Sequence, residues 1–399
     1  MECKELNEII ECIDKFNGDF YEKVTKGNAS QVKDGFDHGW GKIINYDNYD
    51  KDGFSRYAKA LITLSVAYCE SDAITEDDVN TLVSLISEYE SNENTRFKFN
   101  IKHCLYFNLG YCWHKLGGVY DGKAVGTFKK YIYYLILQSS HTSYRPTAYS
   151  FRKCSEYLYQ SLINEQLNVS SPTTFNDPFD CPIKELLDNG DEIASLLRRA
   201  YNSCLKISCF ICNTKLPYHL NEDLIRDEKK HNGDPEEYLN TLLWAHYADF
   251  HKGVCIKYRF CDSISKLGGD SDSVVSYFKD VKYSDADMSQ YSNKDSINME
   301  DAFFLKGKEW EYENELRYLH YDISSDSTYG SVAIPNSVEA IYFGLRCSKN
   351  NVDTIRKIMS DKKLVVKDLL GNVVEEKPIK FYQIVADKKH FGRIEAVEI

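Results

Sequence analysis

The run Glu313-Asn314-Glu315-Leu316-Arg317 carries the densest reactive chemistry in the chain. On a strand, side chains alternate between faces, so Glu313, Glu315 and Arg317 would project together. Two carboxylates beside a guanidinium are either paired, with Lys306 as a further partner, or used on a substrate. Combined with Lys306, the same carboxylates also imitate the acidic cluster and lysine of a metal-dependent nuclease. Upstream, Trp244 and Tyr247 stand three apart and share a helical face, which serves either core packing or stacking on a ligand. His246, Asp249 and His251 supply nitrogen and oxygen donors, but their spacing matches no familiar zinc pattern. Cys209-x-x-Cys212 has no second pair, so no metal is expected. Asn176 and Asp177, in Phe175-Asn176-Asp177-Pro178-Phe179, either lock a turn through nearby backbone or stand at a pocket rim.

Two kinds of chain must position these residues. Up to about Ser140 the periodicity is helical: Leu6, Ile9, Ile10 and Ile13 form one apolar stripe, and Leu61, Leu64, Ala67 and Tyr68 another. Thr75 and Asp78 make a box-like helix start ahead of Val79, Leu82, Val83 and Ile86. Gly35–Gly53 reads as a loop. Leu109-Gly110 with Ala124 and Phe128 resembles one tetratricopeptide-type hairpin, although its turn is about two residues too long for that pattern, and a plain helical bundle is the alternative. After Ser140 the texture changes. Strands are expected at Leu167–Ser170, Leu205–Phe210, Gly253–Phe260, Leu316–Tyr321, Glu339–Phe343, Lys363–Val366 and Ile379–Val385. Helices are expected at Thr147–Asn164, Leu239–Ala248, Asp301–Glu309 and Asn350–Met359. The interleaving lacks a strict βαβ rhythm, so the fold class is α+β: a helical domain over 1–140, then a mixed-sheet domain with flanking helices over 141–399.

Composition narrows the function. The 399 residues carry 49 basic and 61 acidic side chains, a net charge of −12, which excludes indiscriminate coating of nucleic acid but not a local basic groove. The 30 Tyr and 20 Phe are enough for large cores and for stacking surfaces. The N-terminus lacks the apolar core of a signal peptide, and the longest apolar run, Tyr131–Leu137, is 7 residues. A cytoplasmic protein without membrane contact is expected. Its 13 cysteines, odd in number and scattered, read as reduced thiols. No Gly-rich phosphate loop and no nucleophile elbow is present.

Four clusters in the second half occur in a telling order: Tyr144-Arg145-Pro146 followed by SSPTTFNDPF, then Ile207-Ser208-Cys209-Phe210, then WAHYADFHKG, then Lys306 with WEYENELR. In this order, from Tyr144 to about Met359, the chain resembles the domain-of-unknown-function family 2971. That resemblance implies a layout more than an activity. Glu313-Asn314-Glu315 further resembles the Glu-x-Glu motif of ADP-ribosyltransferases. That likeness implies NAD as substrate, with Arg145 holding the dinucleotide and Ser208 or Tyr247 supporting it. Glu315 would then be the catalytic carboxylate and Glu313 would orient the acceptor, with Tyr144, Trp244 and Asn176 completing the NAD site. The middle strand lacks that superfamily's Ser-Thr-Ser run. The implied protein is a toxin or anti-phage effector acting on a protein or nucleic-acid acceptor, with helices that control access or bind a protein partner. A non-catalytic nucleotide- or peptide-binding module and a metal-dependent nuclease stand as alternatives.

Overall fold

The structure is a computed structural model of the 399-residue chain. It describes residues 15, 19, 23–40, 51–91, 101–138, 147–177, 180–181, 192–212, 240–260, 273–285, 302–367, 372–390 and 392–399. The expected stripe from Leu6 to Ile13 and the residues Tyr144 and Arg145 lie outside these. The chain divides into two compact units, Met1–Ser139 with Leu187–Tyr201, and Ser140–Leu186 with Asn202–Ile399.

The first unit is helical. It contains α1 (Ala29–Trp40), α2 (Lys51–Glu70), α3 (Glu76–Ser91), α4 (Lys102–Lys115) and α5 (Asp121–Gln138). Residues 35–40, expected as loop, complete α1, where Val32 and Phe36 are buried four residues apart. The start of α3 is fixed by the anticipated box. The Asp78 carboxylate accepts from the Thr75 backbone N–H at 3.0 Å and hydroxyl at 2.8 Å, while the Asp78 N–H donates back to the Thr75 hydroxyl at 3.3 Å. At the other end of α2, the Lys115 ammonium donates to the carbonyls of Cys69 and Ser71 at 2.6 and 2.7 Å, satisfying C-terminal groups that have no helical partner.

Helices α4 and α5 pack against each other, and Gly110 sets their approach. A Cβ at Gly110 would stand 2.6 Å from the Phe128 ring, which is wholly buried and has no room to withdraw. Gly110→Ala is therefore expected to destabilise this unit by about 1–3 kcal/mol through overpacking. A lowered urea midpoint with unchanged slope would show it, and an unchanged or raised midpoint would rule out so close an approach of the two helices.

The second unit is α+β. Its strands are β1 (Thr147–Arg152), β2 (Gln166–Ser170), β3 (Leu205–Ile211), β4 (Val254–Arg259), β5 (Val274–Asp280), β6 (Lys282–Ser284) and β7 (Leu305–Gly307). These are followed by β8 (Glu315–Asp322), β9 (Tyr329–Ala333), β10 (Val338–Phe343), β11 (Lys363–Lys367), β12 (Val373–Pro378), β13 (Lys380–Ala386) and β14 (Ile394–Glu398). Its helices are α6 (Glu156–Asn164), α7 (Glu192–Cys204, assigned to the helical unit up to Tyr201), α8 (Thr241–Tyr247) and α9 (Lys349–Met359). The main sheet runs β14-β13-β10-β4-β1-β3-β2-β9, with β8 joined to β3 and β5 joined to β8. It is mixed, since β10 and β13 are parallel and the other pairs in it are antiparallel.

Both faces of the sheet are covered. Ala148, Ile256, Ile341 and Phe343 pack with Leu158 and Leu162 of α6 and Ile355 and Met359 of α9. On the opposite face Tyr149, Phe151, Cys255 and Tyr342 pack with Leu243 and Trp244 of α8. The expected helix Thr147–Asn164 is thus in part a strand. Its first residues, Thr-Ala-Tyr-Ser-Phe-Arg, suit a pleated surface buried on both sides. The helix begins only where the Ser155 side chain accepts from the Leu158 N–H. Asp301–Glu309, also expected as helix, gives one turn near Ala302, then β7, then a 3-10 helix over Lys308–Glu313.

The strand β3 is a fork. Along one side it pairs fully with β8, from Leu205↔Tyr321 to Ile211↔Glu315. On its other side it meets β2 only at Ser170↔Ile207 and β1 only at Tyr149↔Ile211. Away from that one pair, β1 and β3 share no register partners.

Candidate functional site

Residues of β1 and β3 near that single pair line a cavity of about 730 Å³, within the size range of small-molecule sites. Its walls come from Tyr149 and Phe151 of β1, Cys209 of β3, His246 and Tyr247 of α8, the turn at residues 175–177, and Trp310. Its floor is charged. Asp180, Lys306, Glu313 and Glu315 line it, and Arg317 lies directly beneath, wholly buried.

Local structure explains how these groups meet. Glu315 opens β8, and its backbone N–H donates to the Tyr283 hydroxyl of β6 at 2.7 Å. Lys306 sits on β7 in register with Tyr283. Glu313 does not reach the site through the strand pleat, contrary to the alternation expected from the sequence. It ends the 3-10 helix, and Asn314 adopts a left-handed conformation (φ 44°) that turns the chain into β8. Asn is among the few residues that tolerate this region. Asp180 comes from the segment just beyond the Asn176-Asp177 turn.

The charges form one hydrogen-bonded array. Arg317 Nε donates to Glu315 Oε1 at 2.7 Å, and its terminal nitrogens reach Glu315 Oε2 at 3.2 Å, Asp180 Oδ1 at 2.5 Å and the Phe303 carbonyl at 2.8 Å. Lys306 Nζ donates to Glu313 Oε2 at 2.7 Å and to Glu315 Oε2 at 2.9 Å, and lies 3.7 Å from Asp180 Oδ2. The Tyr247 hydroxyl donates to Glu313 Oε1 at 2.5 Å. Both cations also face aromatic rings, Lys306 over Trp310 at 5.1 Å and Arg317 over Phe175 at 5.6 Å.

Titration follows from this arrangement. Burial alone would raise the Glu315 pKa, but the Arg317 charge and hydrogen bonds, with Lys306, outweigh it and hold the group at about 2. Asp180 is raised, because desolvation and the nearby Glu315 charge exceed what Arg317 and Lys306 return. Burial and the Glu313 bond push the Tyr247 hydroxyl up, so it stays a donor at neutral pH. Desolvation and the Glu315 carboxylate likewise raise the Cys209 thiol, which opens onto the cavity although it lies deep in the unit.

A pH dependence follows. Between the unfolded Glu pKa of 4.5 and the folded value of about 2, the unfolded chain binds a proton at Glu315 that the folded one does not. Stability therefore rises with pH through that window and is lost as pH falls through it, by an amount on the order of a few kcal/mol. Asp180 acts oppositely above its unfolded value of 3.8, since its folded pKa is raised. Urea titrations of wild type and Glu315→Gln at several pH values below 5 would test this; the wild-type slope between about pH 2 and 4.5 should flatten in the variant.

Of the residues singled out in the sequence, Glu313, Glu315, Tyr247 and Asn176 line the cavity. Trp244 does not. It is wholly buried, edge-on to Phe151 at 5.1 Å and stacked on His251 at 6.1 Å, so it is core. Ser208 is buried opposite Tyr318 and does not line the cavity, because the alternation of β3 gives that position to Cys209. His246 lines the cavity, whereas Asp249 and His251 lie in a loop where Asp249, Phe250 and His251 all have positive φ. Among the described residues no group of three or more His, Cys, Asp or Glu side chains is arranged to hold a metal ion. Sequence reasoning misses Asp180, whose only signal is an acidic residue directly after the Asn-Asp-Pro-Phe turn.

Most of the array lies in a segment that comparison with known families picks out. Residues 243–318 match the family described as protein of unknown function (DUF2971). The matched segment runs from Leu243 of α8 to Tyr318 of β8, and so holds His246, Tyr247, Lys306, Glu313, Glu315 and Arg317. Asp180 and the walls from β1 and β3 lie outside it. Neither curated proteins nor solved structures provide a match to the chain. No helix among the described residues is long and apolar enough to cross a membrane.

Proposed function

We propose that the C-terminal unit binds NAD and cleaves its nicotinamide–ribose bond, transferring the ADP-ribosyl group to an acceptor. The observation that supports this is the Glu313–Glu315 pair at the floor of an aromatic-walled cavity. Three carboxylates there face two cations, so the floor carries one excess negative charge when all are ionised. Breaking the C1′–N bond sends its electron pair to the nicotinamide nitrogen, which leaves neutral, while positive charge grows on the ribose. A fixed, desolvated carboxylate favours that transition state and needs no proton to do so. An acceptor then bonds to C1′ and gives up its proton.

Hydrogen bonding divides the roles differently from the motif resemblance. Glu315 accepts three N–H bonds from Arg317 and Lys306, so its oxygens are largely committed. Glu313 accepts one bond from Tyr247 and one from Lys306, which leaves lone pairs for a ribose. We therefore assign Glu313 to the ribose and Glu315 to fixing the cations. Tyr149, Phe151, Phe175 and Trp310 supply rings for the nicotinamide. The helical unit carries none of this array, and in this reading its part is to bind a protein partner.

The test is incubation of the full chain with NAD labelled in the adenosine moiety, with cell extract as source of acceptor and partner. Released nicotinamide and label on a macromolecule are expected. NAD binding without turnover would favour a non-catalytic nucleotide-binding module, and no binding would overturn the assignment of the cavity.

A further inference from the structure

A second chemical site lies apart from the cavity, where two helix N-termini meet. Helix α6 is capped by Ser155 and α9 by Ser348, each side chain accepting from an N–H of its own first turn. A cysteine directly precedes each cap, Cys154 before Ser155 and Cys347 before Ser348. The first turns are held together by the Tyr159 hydroxyl of α6, which donates to Asn351 Oδ1 of α9 at 3.1 Å. Strands feeding the two cysteines end at the same level, since Arg152 of β1 and Phe343 of β10 both pair with Val254 of β4. Each thiol shifts the titration of the other, and both are partly exposed.

From this geometry we propose that Cys154 and Cys347 are a peroxide-sensitive dithiol that closes to a reversible disulfide between the N-termini of α6 and α9. Two helix N-termini place partial positive charge at these sulfurs, which favours a thiolate. The neighbouring Cys347 thiol, with the Asn351 side chain, outweighs burial and lowers the Cys154 pKa, whereas Cys154 and burial raise Cys347. The Cys154 thiolate attacks a hydroperoxide, breaking the O–O bond to give a sulfenic acid and hydroxide. The Cys347 sulfur then attacks the Cys154 sulfur, the S–O bond breaks, and water leaves with the Cys347 proton. The dithiol is oxidised by two electrons and the hydroperoxide is reduced by the same two.

The chain contains its own control. Cys69 and Cys112 are 3.7 Å apart in the helical unit, yet Cys112 is wholly buried and the Cys69 thiol is raised well up by the Cys112 bond and by burial. The pairs differ at Cys112, which is buried where Cys154 and Cys347 are both partly exposed, and in acidity, since Cys154 is lowered where Cys69 is raised. Closing the 154–347 bond would remove the S–H that Cys154 donates to the Lys252 carbonyl at 3.8 Å, and so would release that contact with the loop after α8.

The experiment treats the reduced full chain with equimolar hydrogen peroxide, blocks remaining thiols, and maps peptides by mass spectrometry. A Cys154–Cys347 cross-linked peptide that dithiothreitol reverses is expected, and Cys347→Ser should leave a sulfenic acid on Cys154 that dimedone traps. Without peroxide, Cys154 should alkylate at least about tenfold faster than Cys69 at neutral pH, since one pKa unit changes the thiolate fraction about tenfold. Absence of the cross-link in the wild type, or a Cys69–Cys112 cross-link forming first, would overturn the proposal. These readouts use the wild-type protein and do not depend on any activity of the cavity.

Discussion

Glu315→Ala is expected to destabilise the α+β unit by about 3–5 kcal/mol, the usual cost of removing one partner from a buried ion pair. The residue is 4% exposed and Arg317 is 0% exposed, so water cannot replace the lost carboxylate. Arg317 would retain Asp180 and the Phe303 carbonyl, and Lys306 would retain Glu313, but Arg317 would lose two buried hydrogen bonds and Lys306 one. In a unit of this size the loss corresponds to a drop in melting temperature of roughly 6–20 °C. Differential scanning calorimetry would measure it, and a double-mutant cycle with Arg317→Met would isolate the pair. The second substitution should recover part of the loss, because it removes the buried Arg317 donors that Glu315→Ala leaves unsatisfied. A melting temperature within a degree or two of wild type would refute the structural role assigned to Glu315.

Glu313→Gln is expected to have the opposite profile. Glutamine keeps the shape and an oxygen for Tyr247, and Lys306 still has Glu315, so stability should change by less than about 1 kcal/mol. Turnover should fall by about 10²–10³, the scale on which losing one preorganised electrostatic contact to a transition state is felt. NAD affinity should change little, because the missing charge matters mainly once the ribose becomes cationic. Steady-state nicotinamide release, with kcat and KM separated, decides this. If Glu315→Gln, assayed well below its melting temperature, loses turnover while Glu313→Gln retains it, the two carboxylates exchange roles and the motif-based assignment stands. If wild type itself releases no nicotinamide with extract present, the proposed chemistry fails, and the calorimetric result for Glu315 is unaffected.

Much of the second unit is legible because its strands are short aromatic and β-branched runs between polar turns. Leu205–Phe210, Gly253–Phe260 and Glu339–Phe343 each match an observed strand within a residue or two. Thr147–Arg152 reads as helix for a physical reason. A strand buried on both faces loses the polar–apolar alternation that identifies strands, and its apolar run merges with the helix that follows. Trp244 illustrates the same limit for a site. An aromatic on a helix face has one pattern whether it packs in a core or stacks on a ligand, and only the partners across the sheet, Phe151 and Tyr342, make it core.

By itself, the sequence determined an α+β second half after a helical one, the Thr75–Asp78 helix start, and the grouping of Glu313, Glu315, Arg317 and Lys306 as one chemical unit. Those features rest on local periodicity, capping and short-range spacing, which act between neighbours in the chain. Only the tertiary structure decided that the group is a buried floor rather than an exposed face, and that Asp180 belongs to it from 137 positions before Arg317. It also decided that Tyr247 holds Glu313 while Trp244 does not reach the cavity. Burial and charge compensation are set by what the rest of the fold brings alongside, through a sheet whose strand order does not follow chain order. No local pattern encodes which distant carboxylate will share a guanidinium, because that choice is made by packing.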